Sequence, residues 1–389
     1  MIKITQPIID QEEIDAVVAV MKSGMIAQGP ETAKLEQKFA EYCGVKYAVA
    51  FNSGTAAIHA GLYALGLKEG DEVITTPFTF VATANPILML CGKVIFADIS
   101  EKDFNIDTVE IEKKITPRTK AIIPVDLYGQ LCDYDKLEKI AKKYDLKILE
   151  DACQAVGAEN NGVKAGTFGD VAAFSLYATK NIMCGEGGLI TTNSDVIAEK
   201  CKMFRHHGQS EAKRYEYLDL GYNYRLTDIC AAIGVKQLAK ADTFNQKRIE
   251  NAKKLAEGLM GIEGIILPKT KEGSKHVFHQ FTIRITEEFG ATREDLQNFL
   301  SAQGIGTGIY YPKPLHMHEH FKRLGYNEGD FPVAEKMAQE VLSLPVHPSL
   351  TDLELTIIIT AIKEFSKIKR NNKEKNNLES LDVLATNHV

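Results

Sequence analysis

The stretch KYAVAFNSGTAAIHAGLYALG (46–66) decides how the rest of the chain is interpreted. KYAVAF (46–51) predicts a strand, and the residues from Gly54 onward carry apolar side chains at helical spacing. The turn between them therefore joins the carboxyl end of a strand to the start of a helix. Free N–H groups at a helix N-terminus, beside the hydroxyls of Ser53 and Thr55, predict an anion site that suits a phosphate. The alternative is plain N-capping by one of these hydroxyls.

The same alternation of strand and helix continues from this stretch to about residue 193. Helical patterns at VATANPILMLCG, near 108–115 and at YDKLEKIAKKYD separate further strands. Those strands are DEVITT (71–76), KVIFADI (93–99), KAIIPVDL (120–127) and KILED (147–151). Strands that alternate with helices predict βαβ units, and hence an α/β fold with a largely parallel sheet. Such sheets bind ligands at the carboxyl ends of their strands.

The second half of the chain predicts a smaller α+β domain. Long helical patterns over 227–260 lead into it, and HVFHQFTIRI (276–285) alternates like a strand. TREDLQNFLSAQ begins with a Thr cap and is helical, and VAEKMAQEVLSLP (333–345) predicts an amphipathic helix ended by proline. We expect three parts, which are a large domain over 1–240, a small domain over 241–366 and a polar, disordered tail over 367–389.

Composition excludes several classes of protein. The chain has 389 residues, and its 46 Lys and Arg against 52 Asp and Glu disfavour a nucleic-acid binder. No apolar run reaches the roughly 18 residues of a membrane span, and the N-terminus lacks the order of a signal peptide. The seven cysteines form no C-x-x-C pair, so neither a zinc knuckle nor a disulfide framework is predicted. A cytoplasmic location fits best.

Three further segments indicate chemistry. Asp151 ends a buried strand, where a carboxylate could hold a pyridinium nitrogen protonated, or could simply cap a helix. Lys180 lies between the strand-like GDVAAFSL and the loop GEGG (185–188). Near a phosphate site and a cationic cofactor its ammonium form would be disfavoured, and the free amine could form a Schiff base. The alternative is a surface lysine. GYNYR (221–225) precedes a long helix and could equally be a loop with aromatic packing.

In this order and spacing, the segments resemble the pyridoxal-phosphate sugar aminotransferases of the DegT/StrS type. The resemblance covers about residues 1–365 and includes GDEVITTPFTFVATANPI, EDACQAVGA, FSLYATKN with GEGG, GYNYRLTDICAAIG and YYPKPLH. It implies a fold-type I aminotransferase, with a mostly parallel central sheet in a large cofactor domain and a smaller C-terminal α+β domain. It also implies transfer of an amino group from L-glutamate to a keto group of a nucleotide-linked sugar.

The resemblance assigns roles to individual residues. Lys180 would bind pyridoxal 5'-phosphate as a Schiff base and then move the proton. Asp151 would pair with the pyridine nitrogen, Gln154 would bond the phenolic oxygen, and Phe80 would stack on the ring. Asn223 would reach the phosphate from the partner subunit, which implies a homodimer with shared active sites. The other phosphate ligands would be Thr55, Ala56 and Ser175. Tyr310 and His316 would line the sugar pocket.

Some alternatives stay open after the resemblance is taken into account. One branch of the family carries His in place of the lysine and dehydrates deoxysugars, and Lys180 argues against that branch. Gly185 lies five positions after Lys180, as in relatives that act at C4, so we expect a 4-keto-6-deoxyhexose acceptor. Loop length could also follow ancestry alone. The other possibilities are a 3-keto sugar, a keto-cyclitol or a non-catalytic regulatory protein that binds the cofactor.

The stretch HMHEH (316–320) also allows a metal interpretation. On a strand, residues 316, 318 and 320 would share one face. No fourth ligand is evident, and Pro314 indicates a turn at this point. We therefore expect no metal.

Overall fold

The computed structural model describes residues 1–210, 213 and 215–386, with side chains up to residue 369. Its strands are β1 (Tyr47–Phe51), β2 (Glu72–Thr75), β3 (Lys93–Phe96), β4 (Thr119–Ile123), β5 (Lys147–Asp151), β6 (Glu159–Asn160), β7 (Val163–Lys164), β8 (Val171–Ser175), β9 (Gly188–Thr192), β10 (Ile265–Ile266), β11 (Ser274–Lys275), β12 (Phe281–Ile285) and β13 (Val341–Leu344). Its α-helices are α1 (Gln11–Ser23), α2 (Pro30–Cys43), α3 (Gly54–Ala64), α4 (Asn85–Met89), α5 (Thr108–Lys114), α6 (Tyr134–Tyr144), α7 (Asp195–Arg205), α8 (Asp228–Ala239), α9 (Ala241–Leu259), α10 (Arg293–Ala302), α11 (Glu319–Lys322), α12 (Pro332–Glu340) and α13 (Asp352–Thr386).

The central sheet has seven strands in the order β1-β9-β8-β5-β4-β2-β3. The strands from β8 to β3 pair in parallel, whereas β9 is antiparallel to both of its neighbours. Parallel strands inside such a sheet are covered on both faces, and accordingly β8 and the last four residues of β5 are buried. The expected α/β fold with a mostly parallel sheet is confirmed.

Apolar cores cover both faces of this sheet. In β8, Phe174 packs into the core that contains Leu35 and Phe39, and Ala173 packs into the opposite core, which contains Phe51 and Phe204. Helix α3 lies in the second core, and Gly61 lets it approach the sheet, because a Cβ there would lie 2.8 Å from a methyl group of Leu149. Close packing of α3 on the sheet fixes where its first turn lies.

The C-terminal unit has its own core. Strands β10, β12 and β13 form an antiparallel sheet, and α9, α10 and α13 contribute apolar side chains to its core. Two details differ from the sequence prediction. The strand expected over 276–285 begins only at Phe281, and the helix expected over 333–345 ends at Glu340. The residues VLSL instead form β13, because pairing with β12 buries all four of them.

The first residues of the chain contact this unit, and its last described helix extends beyond the predicted small domain. Ile2 forms an isolated parallel β-bridge with Ile305. The first residues therefore contact the C-terminal unit, although we predicted that they belong to the large domain. Helix α13 continues to Thr386 and covers most of the segment for which we expected disorder. No Gly or Pro occurs between 352 and 386 to end that helix. Residues 387–389 lie outside the described residues. No described helix is long and apolar enough to cross a membrane.

Candidate active site

A cavity of about 430 Å³ lies at the carboxyl ends of β5 and β8 and the start of α3. This is the edge of the sheet at which the sequence predicts a ligand site, and the volume suits a small cofactor with part of a substrate. The C-terminal unit closes it with residues 279–280 and 310–311. The predicted site residues that line the cavity are Thr55, Phe80, Asp151, Gln154, Ser175, Lys180 and Tyr310.

The first turn of α3 forms one end of the cavity. Ser53 is the N-cap, and its Oγ accepts from the N–H of Ala56 at 3.2 Å. The capping that the sequence left as an alternative is therefore present, and it uses the Ala56 N–H. Ser53 and Thr55 line the cavity, where the first N–H groups of a helix lack intrahelical acceptors and attract an anion. Gly54 suits this turn, because a Cβ there would lie 3.0 Å from Cβ of Ser175.

Asp151 lies at the carboxyl end of β5 and is 3% exposed. Its Oδ2 accepts from the hydroxyl of Thr83 at 2.7 Å, and its Oδ1 accepts from the N–H of Cys153 at 3.2 Å. The hydroxyl of Thr79 lies 3.0 Å from that of Thr83. Since Thr83 donates to the carboxylate, Thr79 donates to Thr83. A carboxylate held in this way keeps lone pairs free for a cationic partner in the cavity.

Lys180 lies in the loop between β8 and β9. The backbone there folds back on itself, because the N–H of Ala178 donates to the carbonyl of Gly185 at 3.0 Å and Lys180 N–H donates to Tyr177 at 2.9 Å. The side chain is half-buried and lines the cavity. Burial lowers the pKa of Lys180, and the nearby Asp151 opposes that effect only in part. A lowered pKa makes a larger fraction of the amine neutral and nucleophilic at neutral pH.

Gln154 and Tyr311 form another part of the cavity wall. Oε1 of Gln154 accepts from the N–H of Tyr128 at 2.8 Å, and its Nε2 donates to the hydroxyl of Tyr311 at 3.3 Å. One N–H of the Gln154 amide stays available to a ligand oxygen. Burial raises the pKa of Tyr311, so its hydroxyl stays protonated. The hydroxyl of Tyr128 donates to the carbonyl oxygen of Tyr310 and ties the C-terminal unit to the large domain.

Phe80 presents an aromatic face at the cavity mouth. It is 57% exposed, and its ring is stacked on that of Tyr311 with centroids 6.3 Å apart. An exposed ring of this size is available for contact with a flat ligand.

Three of the predicted site residues do not line the cavity. Ala56 lies just inside α3, and Asn223 is exposed on a segment that bridges to His206. His316 is fully buried, and its Nε2 lies 2.8 Å from Oε1 of Glu335. The short 3-10 helix Leu315–Met317 turns His316 inward, away from the sugar pocket that we expected it to line. Among the described residues, no three His, Cys, Asp or Glu side chains come together as a metal site requires.

Two buried carboxyl groups lie directly behind Asp151. The N–H of Asp126 donates to the carbonyl of Asp151 at 3.1 Å, and Glu150 accepts from the N–H of Gly166 at 2.7 Å. Burial raises the pKa of Asp126 to about 7, and burial together with the charge of Asp126 raises the pKa of Glu150 well above its ordinary value. The pair therefore holds a proton at neutral pH and avoids a buried double charge behind Asp151.

Sequence reasoning missed several residues of the cavity wall, which are Thr83, Glu186, His279 and Tyr311. Thr79 and Thr83 are four positions apart in PFTFVATANP. In a helix, this spacing would place the two hydroxyls side by side, and it could have indicated that they act together. His279 gave no signal, because the sequence placed it inside a strand.

Comparisons with known proteins agree with this geometry. The DegT/DnrJ/EryC1/StrS aminotransferase family matches residues 7–363. A pleiotropic regulatory protein of Geobacillus stearothermophilus is 43% identical over 89% of this chain and 92% of its own. The GDP-perosamine synthase of Caulobacter vibrioides is 37% identical over 93% of this chain and 98% of its own. The structure of S. venezuelae DesV in complex with a ketimine intermediate is 37% identical, covers 92% of this chain and 94% of its own, and has a TM-score of 0.88.

The fold and the cavity define a pyridoxal-phosphate-dependent aminotransferase. The chain belongs to the DegT/DnrJ/EryC1/StrS aminotransferase family. The predicted resemblance, the enzyme class and the cofactor are thereby confirmed.

The residues present fit this cofactor. The start of α3 with Ser175 suits its phosphate, the buried carboxylate of Asp151 suits a protonated ring nitrogen, and the free N–H of Gln154 suits a phenolic oxygen. Phe80 offers a ring face, and Lys180 is the one amine among the described residues that line the cavity.

Proposed function

We propose that the chain transfers an amino group from L-glutamate to a keto group of a nucleotide-linked sugar, and that the acceptor is a 4-keto-6-deoxyhexose. The observation that carries this proposal is the convergence of Lys180, Asp151 and the start of α3 on one cavity. Membership of the sugar aminotransferase family and the 37% identity to a GDP-perosamine synthase support a nucleotide-linked sugar.

Each residue of the cavity has a task that follows from its contacts. Pyridoxal phosphate supplies an electron sink and carries the amino group when bound. Lys180 would bind it and then accept and return the proton, which its lowered pKa favours. Thr83 holds the Asp151 carboxylate so that it can keep the ring nitrogen protonated. Thr55 and Ser175 would orient the phosphate.

The loop after Lys180 supports the choice of C4. It returns to its start within a few residues, since Ala178 N–H donates to the carbonyl of Gly185 and Leu176 N–H donates to that of Gly187 at 2.8 Å. This path brings the exposed carboxylate of Glu186 to the cavity. An inserted residue would break these hydrogen bonds and move the wall that meets the sugar. A displacement of about 1 Å can cost on the order of a hundredfold in rate, so loop length can select the reacting carbon.

The charges of the cavity support a homodimer with shared active sites. Lys180 is the one Lys or Arg side chain among the described lining residues, and the carboxylates of Asp151 and Glu186 oppose it. A phosphate, a nucleotide pyrophosphate and the carboxylates of glutamate together need more cationic groups. A second copy would supply them, together with Asn223. The neighbouring Leu218 and Leu220 are 62% and 65% exposed, as expected of side chains that a partner covers.

The test is a panel of keto sugars with purified protein and a defined amino donor. Nucleotide-linked 4-keto and 3-keto hexoses and a free keto-cyclitol are each incubated with L-glutamate, and 2-oxoglutarate is measured. We expect the 4-keto-6-deoxyhexose to turn over fastest, with glutamine replacing glutamate only poorly.

Each alternative predicts its own outcome in this panel. Faster turnover of the 3-keto compound or of the cyclitol would contradict the choice of acceptor. A non-catalytic regulatory protein would give no 2-oxoglutarate with any acceptor, even though it holds the cofactor. The Lys180→Ala variant is the matched control, since the rest of the cavity stays in place.

A further inference from the structure

Three buried polar side chains connect the long helix α9 to the wall of the cavity. Asn181, Asn245 and His279 are each less than one-tenth exposed. Nδ2 of Asn181 donates to the carbonyl oxygen of Val277 at 3.1 Å and to Oδ1 of Asn245 at 2.8 Å. Nδ2 of Asn245 donates to the carbonyl oxygen of Val156 at 2.9 Å. Since carbonyl oxygens only accept, both side-chain amides have a single possible orientation.

This orientation determines which nitrogen of His279 carries the proton. Oδ1 of Asn181 lies 3.1 Å from Nδ1 of His279, and an amide oxygen can only accept. Nδ1 is therefore the donor. Burial, with the charges of Lys180 and Arg248, holds the pKa of His279 well below its usual value, so the ring is neutral. In a neutral ring protonated at Nδ1, Nε2 is an acceptor.

The backbone of His279 is fixed as well. The guanidinium of Arg248 donates to the carbonyl oxygens of Phe278 at 3.3 Å and His279 at 3.4 Å. Gly129 packs so closely that a Cβ there would lie 3.1 Å from the backbone nitrogen of His279. The ring therefore has little freedom to turn. In the part of the chain that the structure describes, its Nε2 has no hydrogen-bond partner.

We propose that His279 is a positioning residue, whose unpartnered Nε2 becomes the acceptor for the amine of Lys180 when that side chain turns toward it, and so holds the amine in the cavity. Both side chains line the cavity, and Asn181, which orients the ring, is the next residue after Lys180. The network thus orients the acceptor next to the chain segment that carries the lysine. His279 itself neither gains nor loses a proton. The proposal rests on the proposed role of Lys180 as the reactive amine.

Two variants separate this role from a structural one. In His279→Asn the shorter amide can still donate to Asn181, but nothing replaces the Nε2 acceptor. In His279→Gln the longer amide offers an acceptor near the position of Nε2. We measure the pKa of Lys180 in cofactor-free protein from the pH dependence of its reductive methylation, located by mass spectrometry. Loss of an acceptor to the ammonium form should lower that pKa by about one unit.

The conservative variant should reverse much of this change. We expect His279→Gln to regain at least half of the shift, and we expect His279→Asn with bound cofactor to lose about tenfold in kcat with little change in KM. An unchanged Lys180 pKa in His279→Asn, at an unchanged melting temperature, would overturn the proposal. A rise in KM for the sugar alone would also overturn it, because Nε2 would then contact substrate.

The protonation of His279 gives a second readout that does not need the enzyme reaction. Nitrogen-15 spectra of cofactor-free protein labelled at histidine, assigned with His279→Asn, should show a neutral ring protonated at Nδ1. Protonation at Nε2 would overturn the proposal.

Failure of the proposed function can be distinguished from failure of this proposal, because borohydride would then not fix the cofactor to Lys180 in the unmodified chain. Failure of the present proposal leaves that labelling intact.

Discussion

Replacement of Thr83 by valine tests whether the site depends on the hydrogen bond that holds Asp151. The two side chains have nearly the same shape, so Thr83→Val removes the 2.7 Å hydrogen bond to Oδ2 and the acceptor of the Thr79 hydroxyl, with little other change. A hydrogen bond to a charged, buried group contributes about 1.5–3 kcal/mol. If the transition state needs the full charge of Asp151, kcat should fall about ten- to hundredfold. KM should change little, because Thr83 supports the carboxylate and does not hold the phosphate.

The assay follows 2-oxoglutarate formation at saturating glutamate and acceptor, with the absorbance of the bound cofactor recorded in parallel. Thr83→Ser keeps the hydroxyl and is the matched control, and it should stay within a fewfold of the unmodified enzyme. Thr79→Val removes only the group behind Thr83 and should have a smaller effect. A Thr83→Val enzyme within twofold of normal kcat, with cofactor bound, would refute the reasoning.

Three other changes test separate parts of the account. Asp151→Asn should keep the fold and much cofactor affinity but lose several orders of magnitude in turnover, and near-normal turnover would exclude the assigned role. Mixing Lys180→Ala chains with Asn223→Ala chains should restore part of the activity if sites are shared, whereas a fully active monomer in sedimentation would contradict sharing. Asp126 has a folded pKa of about 7, above its unfolded value, so the stability it confers at low pH is lost as pH rises through about 4 to 7. Asp126→Asn should therefore flatten the fall in melting temperature between about pH 4 and 7, and an unchanged slope would show that the carboxyl group does not titrate there.

The parts of the fold that the sequence predicted well are those with local causes. KILED and GDVAAFSL each carry consecutive apolar residues next to polar turns, and both contain buried residues of strands in the central sheet. Asp151 ends the first of these strands and Lys180 follows the second, so the edge of the sheet at which they meet was predictable from connectivity alone. Ser53 was also predictable as a cap, because capping depends only on the next three residues of the chain.

The parts that were not predicted depend on contacts between distant segments. Thr83 reaches Asp151 across 68 positions, and His279 reaches Asn181 across 98, so neither contact leaves a local pattern. The VLSL segment continues a helical period, yet pairing with β12 makes it a strand. His316 lies in a segment whose Tyr310 does line the cavity, but the carboxylate of Glu335 holds it inside the protein.

The central claim is that Lys180 is the amine that binds the cofactor in this cavity. The direct measurement is borohydride reduction of the purified, cofactor-loaded protein, followed by peptide mapping of the label. The account predicts label on Lys180 and none in the Lys180→Ala variant, because no other described lysine lines the cavity. Label on a different lysine, or full labelling of Lys180→Ala, would contradict it.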